Sequence, residues 1–300
     1  MTSNVADLAG VRVGAGAPVV VVGAINVSPE SFYAGSVRRD AGDLVDAALR
    51  MVDAGAALID VGARSTAPYL ATAITDDEEA ARLTRAVEAL AEKLPVPVSA
   101  DTASVRGARA ALDAGAQVVN DVSGLRDPAV AALVQARAGG VILMASPAGP
   151  RAGPPAETAR STGRGARGGG PSADPVERVR ALLGEALGRA RSAGIPDQRI
   201  VVDPGIGFFR NEGRPWDEWD ASVLAGLERL QSLGRPLAVA VSRKSFVGAI
   251  TGRARPEDRL AGSLAAAAVA VLHGAALIRA HDVAETVDAV RVAERLRPAR

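Results

Sequence analysis

Charged and amide side chains stand at the ends of several short apolar segments of this chain, where they could bind a polar ligand. Asp101, Asn120 and Asp203 each follow such a segment. Lys244 follows another, and with Lys93 it is one of only two lysines among 35 basic residues. Because lysine is a point charge on a flexible stem, a site that requires it does not accept arginine freely. The chain has no cysteine, which excludes a thiolate nucleophile and a thiolate metal site.

Each of these residues alone has an ordinary structural explanation. Asp101 and Asp203 could be helix N-caps, Asn120 could fix its own loop, and His281 could be a cap or a surface histidine. Polar groups nevertheless follow almost every predicted strand of the chain, including Arg279 and His281 after the last one. This convergence favours a functional site over a set of unrelated caps.

The aromatic residues point to the same region. The sequence contains only Phe32, Tyr33, Tyr69, Phe208, Phe209, Trp216, Trp219 and Phe246. All of them fall in loops that follow predicted strands 1, 2, 6 and 7, and none lies on the repeated helix faces. Such clustering suits a flat ring system as ligand, because aromatic rings stack and bury large areas. Some of these residues could instead pack the long loop at 207–219.

Short β-branched runs alternate with Ala-, Leu- and Arg-rich stretches of helical period, which indicates repeated βα units. Strands are predicted near 19–25, 57–61, 96–100, 117–120, 140–144, 200–202, 237–241 and 276–280. Helices are predicted near 42–54, 77–93, 104–114, 127–138, 175–193, 220–233, 257–273 and 284–295. About eight units in strict alternation predict a (β/α)8 TIM barrel, with an open doubly wound sheet as the competing architecture. Residues 1–17 are expected to add a strand or hairpin under the barrel floor.

Composition bounds the class of protein. The chain has 300 residues, 48% of them apolar, and a net charge of +1. The balanced charge favours neither nucleic acid nor an acidic membrane as partner, and no uninterrupted apolar run or signal peptide is evident. We therefore expect one cytoplasmic domain over residues 1–300. The segment 147–174 consists mainly of Gly, Pro, Ala, Ser, Thr and Arg, so we expect a flexible insertion there, more plausibly a tolerated surface loop than a functional lid.

Several loop motifs resemble those of the dihydropteroate synthases. The first loop, Asn26-Val27-Ser28-Pro29-Glu30-Ser31-Phe32, is similar to the family's Asn-Val-Thr-Pro-Asp-Ser-Phe. Further matches are Ser-Ala-Asp-Thr at 99–102, Asn-Asp-Val-Ser-Gly at 120–124, Asp-Pro-Gly-Ile-Gly-Phe at 203–208, Ser-Arg-Lys-Ser at 242–245 and Arg-Ala-His-Asp at 279–282. Six motifs in family order, close to one per strand over roughly residues 20–290, are a specific signal.

The resemblance implies a reaction in which an arylamine nitrogen displaces pyrophosphate from a pterin methylene carbon. It assigns the pterin to Asp101, Asn120, Asp203 and Lys244. It assigns further substrate contacts to Thr66, Met144, Gly207, Phe208, Ser245, Arg279 and His281, with Arg279 and His281 on the pyrophosphate. It also implies Mg²⁺ bound with the help of Asn26, and a homodimer.

Three loops depart from the family pattern. The usual Gly-Glu-Ser-Thr-Arg-Pro reads Ala-Arg-Ser-Thr-Ala-Pro at 63–68, so the loop arginine is missing and Arg64 stands three residues earlier. The usual Met-His-Met-Arg-Gly reads Met-Ala-Ser-Pro-Ala at 144–148. A Trp-rich stretch at 216–220 follows Phe209-Arg210, where the family has a Gly-Lys step. This style resembles archaeal-type relatives associated with methanopterin-like cofactors.

The acceptor and the exact activity stay open at this point. Both p-aminobenzoate and a ribofuranosyl-aminobenzene phosphate are possible acceptors. The alternatives are a folate-dependent methyl-transfer domain on the same barrel, or a non-catalytic pterin-binding protein. A Schiff-base aldolase that uses Lys244 is more remote.

Overall fold

A computed structural model defines residues 4–28, 41–64, 74–147, 174–210 and 212–297 of the protein. Over these residues, eight parallel strands close into a barrel, and two more strands pair as an antiparallel hairpin. In chain order the strands are β1 (Val5–Leu8), β2 (Val11–Gly14), β3 (Val20–Asn26), β4 (Leu58–Gly62), β5 (Val98–Asp101), β6 (Val118–Asp121), β7 (Gly140–Met144), β8 (Ile200–Asp203), β9 (Leu237–Ala240) and β10 (Ala275–Ala280).

The barrel runs in sequence order from β3 to β10, and β10 pairs with β3 to close it. The helices are α1 (Ala41–Asp53), α2 (Asp76–Ala91), α3 (Val105–Asp113), α4 (Pro128–Arg137), α5 (Pro175–Ser192), α6 (Trp216–Ala225), α7 (Ser245–Thr251), α8 (Leu260–Leu272) and α9 (Val283–Leu296). The predicted (β/α)8 TIM barrel is confirmed, and the open doubly wound sheet is excluded.

Three helical predictions differ from the structure. The helix predicted at 257–273 begins as a 3-10 segment, Pro256–Arg259, and α8 starts at Leu260. The helix predicted at 220–233 is α6 followed by a separate 3-10 segment, and the break falls at Gly226. A Cβ at Gly226 would lie 2.6 Å from Val176 Cγ2, so close packing requires the glycine that weakens the helix. The periodicity does not predict α7, because its seven residues, Ser245–Thr251, are too few to show a helical period.

The hairpin of β1 and β2 covers the N-terminal end of the barrel, which confirms the expectation for residues 1–17. Leu8 is fully buried against Gly140, where an added Cβ would lie 2.5 Å from Leu8 Cδ2. Ala6 and Val13 join Leu8 in an apolar cluster with inward-facing residues of the barrel strands. One end of the barrel is therefore closed by apolar packing, which leaves the other end for a polar site.

The barrel interior changes from apolar to polar along the strands. The residues that face the hairpin include Leu58, Val118, Val201 and Leu277. Side chains two positions apart on a strand point to the same face. Two positions later on these strands stand Asp60, Asn120, Asp203 and Arg279. The strand period thus places the polar residues inside the barrel mouth, above an apolar layer.

The expected insertion at 147–174 lies outside the described residues apart from its two ends, Pro147 and Asp174. Asp174 caps α5 by accepting a hydrogen bond from the amide of Val176 at 2.9 Å. Within the described ranges, no helix has the length and apolar character needed to cross a membrane.

Candidate active site

The strand register places the predicted site residues side by side. Asp101 on β5 pairs with Asn120 on β6, and Met144 on β7 pairs with Asp203 on β8. Asn26 ends β3 opposite Gly62 of β4. All of these stand at the carboxyl ends of their strands, the face on which barrel enzymes carry their active sites.

Arg279 joins two buried carboxylates at this face. Its Nε lies 2.6 Å from Asp60 Oδ2, and its Nη2 lies 3.1 Å from Asp101 Oδ2. The Asn120 side chain donates to Asp60 Oδ2 at 3.1 Å. Asp60 is fully buried, and Asp101 and Asn120 are each only 7% exposed. One guanidinium therefore compensates two carboxylates that are largely removed from water.

The carboxylates of this cluster have unused hydrogen-bonding capacity. Burial raises the pKa of Asp101 to about 7; Arg279 opposes this, and Asp60 and Glu79 add to it. Asp101 Oδ1 and Asp60 Oδ1 are buried and accept no hydrogen bond from the described part of the chain. A buried acceptor without a donor costs about 1–3 kcal/mol. A ligand edge rich in N–H groups would remove this cost.

Asp203 and Lys244 form the second half of the site. Asp203 Oδ1 accepts a hydrogen bond from the amide of Gly205 at 2.7 Å, and burial raises the pKa of Asp203 against the opposing charge of Lys244. The Lys244 ammonium donates to the carbonyl of Ile206 and lies 5.2 Å from the centre of the Phe208 ring. Burial lowers the pKa of Lys244 to about 8, although neighbouring carboxylates favour its charged form.

The loop after β8 passes close to Lys244. Gly205 and Gly207 have φ angles of 72° and 91°, a region that favours glycine. A Cβ at Gly207 would lie 3.2 Å from Lys244 Cδ. The amide of Gly207 donates to Asp220 Oδ1 at 2.8 Å, and burial raises the pKa of Asp220 to about 6. The buried Asp220 of α6 therefore anchors the loop beneath the lysine.

His281 contacts the end of the neighbouring strand. Its Nδ1 lies 3.0 Å from Ser242 Oγ, and its amide donates to the same oxygen at 3.3 Å. Burial and the positive charges of Arg279, Arg243 and Lys244 lower the pKa of His281 to about 3. The neutral imidazole is therefore favoured in the ligand-free site, and its second ring nitrogen can donate a hydrogen bond to a phosphate oxygen.

Arg243 fixes the turn that precedes Lys244. Its guanidinium makes a bidentate pair with Asp282, at 2.8 Å and 2.6 Å, and donates to the carbonyls of Pro256 and Glu257. Its φ of 54° lies in the left-handed region, where most side chains are disfavoured. The bidentate pair fixes this turn, and the turn sets the direction of Lys244.

Ser245 lies next to a cation that the sequence motifs do not predict. Arg210 Nη2 donates to Ser245 Oγ at 2.8 Å, and the Arg210 guanidinium carbon lies 4.3 Å from the centre of the Trp216 ring. Trp216 therefore holds the Arg210 guanidinium in place through a cation–π contact. Arg210 also contributes to lowering the pKa of Lys244, so it extends the positive charge beyond the pterin half of the site.

Three aromatic residues serve the core. Phe209 stacks on Trp219 with ring centroids 5.2 Å apart, and both are 1% exposed. Phe246 is 2% exposed. The prediction that all aromatic residues lie in loops is therefore wrong for Trp216 and Trp219 on α6 and for Phe246 on α7. Phe209, Trp219 and Phe246 pack in the core, as the sequence left open for the segment 207–219, while Phe208 and Trp216 lie beside Lys244 and Arg210. The predicted site residue Thr66 lies outside the described residues, as do Phe32, Tyr33 and Tyr69.

The structure places the remaining predicted residues in two linked groups, one around Asp101 and Arg279 and one around Asp203 and Lys244. Arg279 contacts Asp101 and also acts on the pKa of Asp203, which connects the two halves. Sequence reasoning missed Asp60, Glu79 and Asp220. Asp60 had a detectable signal, because a charge in the middle of the apolar strand β4 must be buried with a partner. Glu79 and Asp220 lie on helices, where a single acidic residue gives no such signal.

The comparisons with known proteins agree with this geometry. A family described as "Pterin binding enzyme" matches residues 22–281. The dihydropteroate synthase of Mycobacterium leprae is 38% identical over 284 residues, covering 92% of this chain and 93% of that protein. A probable bifunctional folylpolyglutamate synthase/dihydropteroate synthase of Haloferax volcanii is 38% identical over 273 residues, covering 91% of this chain, which spans 30% of that longer protein.

Solved structures show the same architecture. The dihydropteroate synthase of Xanthomonas albilineans with 4-aminobenzoic acid has a TM-score of 0.79 and 36% identity, with full coverage of both chains. The same enzyme in complex with 7,8-dihydropteroate has a TM-score of 0.77 and 32% identity, covering 99% of this chain and 100% of that one.

The closed barrel and the polar groups at its C-terminal mouth define a pterin-binding barrel enzyme. The chain belongs to the dihydropteroate synthases, a family of transferases. Bacterial and archaeal relatives match it at the same identity of 38%.

Proposed function

We propose that this chain condenses 7,8-dihydropterin-6-ylmethyl diphosphate with an arylamine and releases pyrophosphate. The observation that carries the proposal is the set of the buried Asp101, Asn120 and Asp203 with the partly buried Lys244 at the strand ends. A pterin edge offers an amino group, a ring N–H and a carbonyl, which carboxylates, an amide and a lysine can match. A ring that lacks these groups would leave buried polar atoms unpaired and be rejected.

The reaction needs no protein nucleophile. The arylamine nitrogen forms a bond to the pterin methylene carbon, the C–O bond to the diphosphate breaks, and pyrophosphate leaves with the bonding electrons while the amine loses a proton. Stabilisation of the leaving group is then the main catalytic contribution. Arg279 pairs with Asp60 and Asp101, yet its five N–H donors leave capacity for a phosphate oxygen. His281 adds a second N–H donor at the same side.

The residues fit a Mg²⁺ ion that arrives with the diphosphate. Asn26 Oδ1 lies 3.1 Å from the position of a Cβ at Gly62, beside Asp101. Within the described ranges, no group of three Asp, Glu or His side chains could hold a metal. One amide oxygen suits Mg²⁺, which retains waters and prefers phosphate oxygens, and the ion would neutralise charge on the leaving group.

Removing Mg²⁺ tests this assignment. We expect a chelator to abolish turnover while the melting temperature of the substrate-free protein stays within about 1 °C, because one amide ligand adds little to the stability of the fold. Activity should return on adding Mg²⁺. A large loss of stability on chelation would instead indicate a structural metal.

Pyrophosphate release tests the proposed function directly. The wild-type chain, the pterin diphosphate and Mg²⁺ would be combined with p-aminobenzoate or with a ribofuranosyl-aminobenzene phosphate, and the Asp203→Asn variant would serve as the impaired control. Release with either amine supports the proposal and identifies the acceptor, and with it a folate or a methanopterin-type product. Pterin binding without release with any amine would contradict it and favour a non-catalytic binding protein.

The homodimer is part of the proposal and is supported by α8. This helix carries no charged residue along its whole length, and Val269 and Leu272 on its outer side are each 38% exposed. A helix that is apolar on all sides is usually buried, so we propose that a second copy covers it.

Val269→Glu and Leu272→Glu together should give a monomer by light scattering, while Ala181→Glu on the exposed side of α5 should not. A monomeric wild type would exclude the dimer.

A further inference from the structure

We propose that Arg64 and Glu79 are positioning residues that act through Thr102 to hold the Asp101 carboxylate against the pterin. The inference rests on the proposed function, because it concerns the same ligand site. Neither residue is assigned a role by the family motifs. The observations that carry it are a buried carboxylate, an exchange of charge in the loop after β4, and a helix glycine that makes room for the contact.

Glu79 is a buried carboxylate that joins three elements. It lies on α2 and is 1% exposed. Its Oε1 accepts a hydrogen bond from Thr102 Oγ1 at 2.6 Å, and its Oε2 lies 2.9 Å from Arg64 Nε in an ion pair. Arg64 also donates to Asp76 Oδ1 at 2.9 Å. The guanidinium therefore spans two carboxylates that are one helical turn apart on α2 and connects them to the end of β4.

Thr102 transmits this arrangement to the pterin site. It follows Asp101 directly and is 1% exposed. Its hydroxyl donates to Glu79 and accepts from the amide of Ser104 at 3.2 Å, while its own amide donates to the carbonyl of Asn120 at 3.1 Å. The backbone on the C-terminal side of Asp101 is thus fixed from two sides. Loss of the Glu79 contact would free the turn that carries the carboxylate.

Gly107 shows that the fold accommodates this contact at a cost. It lies in the first turn of α3, where its amide donates to the N-cap Ser104, and glycine is a poorer helix former than alanine. A Cβ at this position would lie 2.5 Å from Thr102 Oγ1 and 3.3 Å from Glu79 Oε1. Alanine would therefore displace the hydrogen bond between the two side chains. The glycine is explained by the space that the Glu79–Thr102 pair requires.

The charge at position 64 is opposite to that of the family motif that this loop resembles. The dihydropteroate synthase loop that Ala63-Arg64-Ser65 resembles has glutamate where Arg64 stands. A glutamate would face Glu79 and Asp76 with like charge, whereas Arg64 is drawn to both. The side chain of Arg64 is 16% exposed and that of Glu79 is 2% exposed, so the pair is screened less than a surface ion pair.

Equilibrium binding of the pterin diphosphate in the presence of Mg²⁺ tests the inference. We expect Thr102→Val and Glu79→Gln to raise the Kd about 10-fold, and Arg64→Gln to raise it several-fold, which is the usual scale for residues that orient a ligand-binding group. The KM for the arylamine should stay unchanged, because the proposed function assigns Asp101 to the pterin and not to the acceptor. Thr102→Ser, which keeps the hydroxyl, should restore binding. Arg106→Gln is the matched control, since Arg106 pairs with Asp77 of α2 at the surface, with side chains 65% and 74% exposed.

A double variant separates a positioning unit from independent contributions. If Arg64 and Glu79 act together, the Kd of the Arg64→Gln/Glu79→Gln protein should not exceed that of Glu79→Gln alone. Arg64 is partly exposed, so its variant is expected to fold even if Glu79→Gln does not. Wild-type binding by Arg64→Gln and Thr102→Val would overturn the inference and leave the proposed function intact. Failure of the wild-type chain itself to bind the pterin would overturn both.

Discussion

On the Asp101 side of the barrel mouth, strand ends carry the side chains, whereas on the Ser245 side a loop and a short helix carry them. Asp60, Asp101 and Asn120 are fixed by the parallel ladder and are almost fully buried. Ser245 begins α7, and Arg210 reaches it from the loop after β8. Neighbouring strands determine positions in the first group, whereas single side-chain contacts determine them in the second.

This difference in construction matches the differences in sequence. The residues of the strand ends keep the family motifs, as does the loop motif at 242–245, and the three departures fall at 63–68, at 144–148 and after Phe208. A strand residue that moves disturbs its neighbours on both sides, whereas a loop can change with less effect on the barrel. We therefore expect the pterin half to be the least tolerant of substitution and the loops at the acceptor side to be the most tolerant.

The largest effect is expected for Arg279→Met. Removing this cation leaves the carboxylates of Asp60 and Asp101 without a counter-charge in a buried site, which should lower the unfolding free energy by about 3 kcal/mol and reduce kcat/KM more than 100-fold. Thermal unfolding and pyrophosphate release measure the two effects. Arg291→Met removes an arginine that is 73% exposed beside Asp288 and should change neither. If Arg279→Met unfolded and released pyrophosphate like that control, the strand-end residues would tolerate substitution as well as a surface helix does, and the comparison would be wrong.

A smaller effect on binding is expected at the second half of the pterin site. Asp203→Asn and Lys244→Ala should each weaken binding of the pterin diphosphate by about 1–3 kcal/mol, or roughly 5- to 150-fold, and leave the fold intact. Calorimetric titration measures the loss. Lys93, the only other lysine of the chain, is exposed just after the end of α2. The Lys93→Ala variant should therefore bind the pterin diphosphate as tightly as wild type. Unchanged binding by Lys244→Ala would show that the lysine does not face the pterin.

The same lysine should reduce the stability of the substrate-free protein. Burial lowers its pKa from 10.5 to about 8, so the unfolded chain binds a proton that the folded chain releases between these values. Unfolding free energy therefore rises with pH from about 8 to 10.5, and Lys244 costs stability below that window. Lys244→Met should stabilise the protein by on the order of 1 kcal/mol at pH 7, after allowance for solvent screening. Urea unfolding should show this gain vanishing near pH 10.5; a gain independent of pH would indicate packing instead.

The periodic part of the fold could be predicted from the sequence, because a closed barrel repeats one unit. The eight strand positions agree with the structure to within one or two residues. Helix α7 could not be found this way, since seven residues are too few to show a helical period. The division of the region after Pro215 into α6 and a 3-10 segment depends on the close approach of Gly226 to Val176, a tertiary contact.

The candidate site was predictable where a residue belongs to a strand-end motif, as Asp101 and Lys244 do. It was not predictable where the partner comes from elsewhere in the fold. Asp60 contacts Arg279 across 219 positions of sequence, and no local pattern reports such a pair. Arg210 and Glu79 likewise acquire their partners through loop and helix placement.

The smallest effect is expected from shortening residues 150–172 to a brief Gly/Ser link. The segment has few large apolar residues, so it offers little for a core to bury. Loop-closure entropy changes by only about 0.6 kcal/mol for each doubling of length, and the melting temperature should stay nearly constant. The melting temperature therefore tests only the length of the segment, whereas its charges bear on kinetics, because it carries Arg151, Arg160, Arg164 and Arg167.

Because the segment follows β7 at the mouth of the barrel, these charges can attract an anionic acceptor and raise its rate of encounter. We therefore expect kcat near wild type, with any loss confined to a higher KM for an anionic arylamine at low salt, and steady-state kinetics at two salt concentrations measure it. A collapse of kcat would show that this part of the acceptor side is as constrained as the strand ends, and the contrast between the two halves would be wrong.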